Sequence, residues 1–304
     1  MTMPSAIHRR QLLLSGPAAA LGEMLLGPSR NLAQPAPSGL IKGACMGVLP
    51  GQMSLAQKLE AARRAGFEGV EPGTISKPEE VREFREAAAR AGLKVCSIMN
   101  SDHWRYPLSD RDPEVVKKCV EGIKTSMRNA HELGAEVVLL VPAVVTAEVG
   151  YAEAYQRSQE QIRKLLPLAK ELRVILAVED VGNRFLLSPM EFARYVDEFR
   201  SPWVKAYFDV GNIVSSGYPQ DWIRILGKRI CRVHIKRFEP GTDHPRFDPK
   251  DRRTQGIHWP EVRKALAEIG YRGWITAEIR GGDESYLKEV SARMDRILAG
   301  QDPV

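Results

Sequence analysis

From residue 40 onward the chain alternates short apolar or β-branched runs with longer amphipathic stretches, and this rhythm constrains its fold more than any other feature. Eight runs read as strands: 41–46 (IKGACM), 68–71 (EGVE), 94–99 (KVCSIM), 136–142 (EVVLLVP), 173–179 (RVILAVE), 204–209 (VKAYFD), 230–236 (ICRVHIK) and 274–279 (WITAEI). Each precedes a helical pattern, which is the signature of parallel βαβ units. Ser54 is placed to cap a helix over 54–65, Pro78 lies in the first turn of one over 77–91 that stops at Gly92, and the stretch 114–133 stops at Gly134. Gly66 and Gly270 close two more. Eight units within residues 40–304 match a single α/β domain of the (β/α)8 TIM-barrel type. An open doubly wound sheet would carry a glycine-rich phosphate turn after its first strand, and GVLPG at 47–51 lacks that pattern.

In such a barrel the C-terminal tips of the strands converge on one mouth. The last four predicted strands carry Glu179, Asp209, His234 and Glu278 there, at intervals of 30, 25 and 44 residues. Three carboxylates and one imidazole make a mostly oxygen donor set, suited to Mn²⁺ above all, to Mg²⁺ or Co²⁺, and less to Zn²⁺. Each residue alone has a plainer reading as a helix cap, a turn former or a core histidine. Together they would be buried charges behind LAV, YF and ITA, and such charges need a shared partner, which a divalent cation supplies.

The motifs EDVGNRF (179–185), FDVGN (208–212), VHIKRF (233–238) and GYRGWITAEI (270–279), with MNSDHWRYPLSDRDPE (99–114), resemble the xylose-isomerase-like sugar isomerases and epimerases over roughly residues 40–300. The resemblance implies that Glu179, Asp209, His234 and Glu278 ligate the metal and that Glu179 and Glu278 also transfer protons. One departure stands out: many epimerases of this kind carry a histidine three residues after the strand-six aspartate, where this chain has Asn212.

A divalent ion chelating a ketone oxygen and a neighbouring hydroxyl favours loss of the proton between them. Return of a proton on the opposite face is epimerisation, return to the adjacent carbon is aldose–ketose isomerisation, and loss of a β-substituent is the elimination of a 3-keto-glycoside lyase. The expected function is a metal-dependent sugar epimerase or isomerase, with the lyase or hydratase as alternative and a non-catalytic periplasmic sugar-binding protein behind both. Expected substrate contacts are His103, Trp104, Asn212 and Lys236, the last on the same side of its strand as His234. The long stretch after His234 adds His244, Arg246, Arg252 and Arg253 as candidate lid groups, and Gly281-Gly282 is a candidate anion turn.

Residues 1–38 read as an address and linker, and 39–304 as the barrel. Arg9-Arg10 ahead of a short apolar stretch broken by Pro17, Gly22 and Glu23 resembles a twin-arginine export signal rather than a membrane anchor. Export to the periplasm would favour unphosphorylated sugars. A net charge of +6, two units of it from residues 1–38, with acidic and basic residues interspersed, leaves no nucleic-acid footprint. Five histidines after His8 are too few for the multi-zinc site of a barrel endonuclease. Cys45, Cys96, Cys119 and Cys231 form no CxxC pair and read as buried thiols. The expected partner is a small sugar or keto-sugar, and a homo-oligomer is compatible with all of this. Replacing both Arg9 and Arg10 by lysine is expected to hold the protein in the cytoplasm; cell fractionation showing normal export would remove the twin-arginine reading.

Overall fold

The computed structural model describes residues 39–242, 248, 250 and 256–304. The proposed leader and the lid candidates His244, Arg246, Arg252 and Arg253 lie outside them. Nine parallel strands form one sheet: β1 (Leu40–Cys45), β2 (Gly69–Glu71), β3 (Lys94–Val95), β4 (Ile98–Met99), β5 (Val137–Leu140), β6 (Ile175–Glu179), β7 (Val204–Asp209), β8 (Ile230–Ile235) and β9 (Gly273–Ala277). Their order is β3-β2-β1-β9-β8-β7-β6-β5-β4. The two ends of that order are successive pieces of one chain segment, so the sheet curls into a nearly closed TIM barrel.

The single strand expected over 94–99 is therefore two. Val70 pairs with Val95, which sets Pro72 opposite Ser97, and proline brings no N–H to a ladder. The segment leaves β2 at that point and resumes against β5, with Ile98 opposite Val138 and Met99 opposite Leu139.

Eight helices pack outside: α1 (Leu55–Arg64), α2 (Pro78–Ala91), α3 (Pro113–Leu133), α4 (Tyr151–Leu172), α5 (Pro189–Asp197), α6 (Pro219–Leu226), α7 (Trp259–Glu268) and α8 (Glu284–Leu298). Their boundaries follow the expected local chemistry. Ser54 caps α1 in a full capping box with Gln57, and Gly92 and Gly134 end α2 and α3 in the left-handed region at φ 68° and 71°. Ser76 does not cap α2; the residue at that position is Lys77.

Two apolar cores result. The larger lies between sheet and helices and includes Leu59, Phe84, Ile123, Phe192, Ile223 and Leu287; the smaller, inside the barrel, is built on Val137, Leu139, Ala177 and Tyr207. Cys45, Cys96 and Cys119 are buried and Cys231 half-buried, all as free thiols. No described helix is long and apolar enough to cross a membrane.

Small residues set how closely neighbouring staves approach. A methyl group on Gly69 would stand 2.6 Å from two ring carbons of Trp274 and 2.9 Å from the Lys94 carbonyl oxygen, whereas one on Gly47 would meet nothing within 4 Å. Gly69→Ala is expected to destabilise the fold by about 1–3 kcal/mol, read from the urea midpoint, as overpacking does. Gly47→Ala should stay within about 0.5 kcal/mol of the parent, and equal effects of the two would disprove the packing argument.

Candidate metal centre

Four neighbouring staves deliver the predicted quartet to the C-terminal mouth. Glu179 and Asp209 are the last residues of β6 and β7, and His234 is the penultimate residue of β8, in register with Asp209. Glu278 lies one residue past β9, where its N–H still donates to the Ile235 carbonyl at 3.1 Å. Runs such as ILAV, VKAYF and GWITA are stable only as buried strands, and so the polar residue that ends each run is carried to the rim.

One candidate ligand atom from each of these residues lies within 4.8 Å of all the others. The ring of His234 sits at the middle of the group. Its Nδ1 is 2.8 Å from Glu278 Oε2, 3.4 Å from Glu179 Oε1 and 3.9 Å from Asp209 Oδ2. Glu179, Asp209 and His234 are buried and Glu278 is half-buried.

Burial pushes the Glu179 carboxyl upward, and although His234 pulls the other way, the charges of Glu278 and Asp209 add to the rise and leave it at about 7. Burial acts upward on Glu278 as well, but there the hydrogen bond and charge of His234, with the ammonium of Lys236, hold it at about 2. Two carboxyls in one site are thus driven apart by their surroundings.

The donors present fall short of the acceptors. Asp209 Oδ2 and Glu278 Oε2 are buried and have no hydrogen-bond donor among the described residues, although Lys236 Nζ lies 3.1 Å from each as an ion-pair partner. One imidazole and one ammonium do not balance three carboxylates in a buried site, and two unpaired oxygens aimed at one point suit a small divalent cation.

The predicted substrate contacts divide. Lys236 stands one residue beyond β8 and reaches the centre, with Nζ also donating to Asn212 Oδ1 at 3.2 Å. Asn212 is committed to the scaffold: its side-chain amide donates to the Asp180 carbonyl at 2.8 Å, and its backbone N–H to Asp209 Oδ1 at 2.9 Å. His103 is buried in the loop after β4, where its Nδ1 accepts the Val141 N–H at 3.3 Å, leaving the proton on Nε2. Burial lowers its pKa to about 4, against a weaker upward pull from Glu278. Trp104, edge-on to that ring at 5.7 Å, is 54% exposed.

Gly281 and Gly282 do not form an open anion cradle. A methyl group on Gly281 would stand 2.4 Å from the Gly47 carbonyl oxygen and one on Gly282 2.5 Å from the Tyr286 ring, while the Asp283 carboxylate already accepts the Tyr286 N–H at the start of α8. Close packing, rather than ligand access, explains these glycines.

Two acids of the centre were not anticipated. Glu71, the tip of β2, lies 2.6 Å from His234 Nε2, and Asp180 Oδ1 accepts the Asp209 N–H at 2.9 Å. EGVE has the same form as the other strand ends, an acid closing an apolar run, and that signal could have found Glu71.

The fold and this mouth define a parallel TIM-type barrel with its ionisable groups gathered at the C-terminal face. The chain belongs to the xylose isomerase-like TIM barrel family, whose profile matches residues 59–297. It is 26% identical over 223 residues to the L-ribulose-5-phosphate 3-epimerase UlaE of Escherichia coli O1:K1, covering 69% of this chain and 76% of that one. Among solved structures, a D-psicose 3-epimerase crystallised in the presence of D-fructose superposes with a TM-score of 0.68 at 19% identity, over 86% of this chain and 99% of that one. The 3-keto-D-glucoside 4-epimerase YcjR of E. coli gives 0.68 at 15% identity, over 83% and 97%. These structural likenesses concern the fold.

Asp180 supports a direct test of the local geometry. Asp180→Ala leaves the buried Asp209 N–H without its acceptor and should cost about 1–3 kcal/mol in urea unfolding. Asp180→Asn keeps an oxygen in place and should cost less; the reverse order would refute this role.

Proposed function

We propose that this chain is a divalent-metal-dependent enzyme that epimerises or isomerises a sugar by removing and returning a proton next to a carbonyl. The observation that carries the reading is the convergence of Glu179, Asp209, His234 and Glu278 on one point at the barrel mouth. The relatives named as sugar epimerases support the same class of reaction. Glu179, Asp209, His234 and Glu278 would hold the ion, with Mn²⁺ the preferred metal. When bound, the ion supplies positive charge to the two substrate oxygens that gain negative charge as the proton leaves.

The protein's own groups do the rest. Glu179 and Glu278 come from β6 and β9, two staves apart, and flank the centre from two sides. Held at about 2, Glu278 is ionised and ready to accept a proton, while Glu179 at about 7 retains one to return. Lys236, poised between Asp209 and Glu278, is placed to contact a substrate oxygen, and His103 offers a neutral N–H. Trp104 supplies an apolar face at the rim for a sugar ring, and with it room for a glycoside, which keeps the eliminating lyase as the second reading. The side chain of Asn212 is engaged by Asp180 and Lys236 and serves the scaffold first. The reading places the enzyme outside the cytoplasm if residues 1–38 direct export, acting on unphosphorylated sugar.

Two measurements test this. A chelator should abolish turnover and lower the melting temperature, with Mn²⁺ restoring both, because an ion bound only to the folded state stabilises it by mass action. Full activity after verified metal removal would refute metal dependence. With a ketose in D₂O, deuterium should appear at the epimerised carbon, and Glu179→Gln or Glu278→Gln should each lower turnover by about 10²–10⁴-fold, the usual share of a general acid or base. Release of an aglycone from a 3-keto-glycoside would select the lyase, and sugar binding with no exchange at any carbon would leave only a binding protein.

A further inference from the structure

The polar groups beneath the mouth form a chain that the reaction itself does not use. Glu71 and His234 both have fully buried side chains, and Glu71 Oε2 lies 2.6 Å from His234 Nε2. The Cys45 thiol donates to the same oxygen at 3.1 Å, and the Tyr207 hydroxyl donates to Glu71 Oε1 at 3.1 Å. Ser97 Oγ in turn lies 3.2 Å from the Tyr207 hydroxyl. Each anchor sits on a different stave, so Glu71 is held from several directions and has no freedom to turn away.

We propose that Glu71 is a positioning residue: it keeps a proton on His234 Nε2 and so turns the Nδ1 lone pair toward Glu179, Asp209 and Glu278. The inference rests on the reading of the quartet as a metal centre, and it assigns a task to a residue outside that quartet.

The alternative arrangement of the ring fails on the same distances. With the proton on Nδ1, the Nε2 lone pair would face the Glu71 carboxylate at 2.6 Å, two acceptors in contact, and Nδ1 could not ligate a cation. A buried carboxylate behind a ligating imidazole fixes its tautomer and raises its basicity. Burial works to keep Glu71 neutral, but the charge and hydrogen bond of His234 outweigh it and keep the carboxyl ionised, as an acceptor must be.

Cys45, Glu71 and His234 also lie close enough together to be weighed as a cation site of their own. Their chemistry argues against it. The Glu71–His234 contact has the length of a strong hydrogen bond, and burial together with the Glu71 charge pushes the Cys45 thiol well up, so it stays protonated and donates.

The test compares wild type with Glu71→Gln, which keeps shape and an oxygen but loses the charge. Mn²⁺ titration by calorimetry should show binding weakened by about 10- to 100-fold, the usual effect of removing such a partner. The ¹H–¹⁵N resonance of His234 Nε2 should move upfield and its proton exchange faster, both in metal-free protein and in protein loaded with diamagnetic Mg²⁺. The urea midpoint should change little, which separates positioning from bulk stability. Mn²⁺ affinity within twofold of wild type together with an unmoved Nε2–H resonance would overturn the proposal. Should wild type bind no divalent ion, the metal-centre reading fails, and the resonance still decides whether Glu71 fixes the ring. If Glu71→Gln does not fold, Tyr207→Phe removes only the hydroxyl that steadies Glu71; a several-fold loss of Mn²⁺ affinity with a shifted resonance supports the proposal, and no change in either overturns it.

Discussion

Carboxylates held a few ångströms apart in a buried site repel one another, and at this barrel mouth the repulsion is answered from one ring. His234 meets Glu179, Asp209 and Glu278 through Nδ1 and Glu71 through Nε2, so a single imidazole links the acids of the mouth to the acid beneath it. Coulomb energies at such separations are several kcal/mol even with an effective dielectric constant of about 20. The surrounding strands must therefore hold the groups together against that force. They do so with runs of aliphatic residues that have no stable place except the sheet, and with glycines at 43 and 69 where neighbouring side chains leave no room for a methyl group.

Much of this was legible in the sequence for a simple reason. Glu179, Asp209 and His234 each follow an apolar strand that can be seen as a strand without reference to anything distant, and the βα rhythm then brings their ends to one face. Lys236 followed from alternation. The departures came from interactions across staves. Pro72 interrupts the third stave from the neighbouring one, and nothing within KVCSIM records it. Glu71 belongs to a strand of only three residues, 163 positions away from the histidine it contacts, and only barrel closure joins them. Asp180, adjacent to Glu179, reads locally as the start of a loop, and its backbone partner lies on another strand. At Gly281-Gly282 the sequence shows the absence of side chains but not what fills the space, which is the carbonyl of Gly47 and the ring of Tyr286.

The same division holds for chemistry. A donor set of carboxylates and imidazole follows from residue types and strand ends, whereas the unequal protonation of Glu179 and Glu278 depends on where Lys236 and His234 come to rest. Two chemically identical side chains acquire opposite tendencies because one has an ammonium beside it and the other is wholly buried next to its fellow acids. Family relationships at 26% identity carry the scaffold across, and the details that would distinguish one sugar from another lie in the loops.

The broken third stave has a mechanical consequence. Strands of five or six residues carry Glu179, Asp209 and His234, but the stave leading to His103 and Trp104 is two pieces of two residues each, with the ladder interrupted between them. Segments with fewer backbone hydrogen bonds open at lower free energy than those with complete ladders. Compliance is therefore unevenly distributed around the mouth. The wall bearing the acids is stiff, and the wall facing it, with its exposed indole, yields first, so a bulky guest would be admitted by the side of the barrel that has the least to lose by moving.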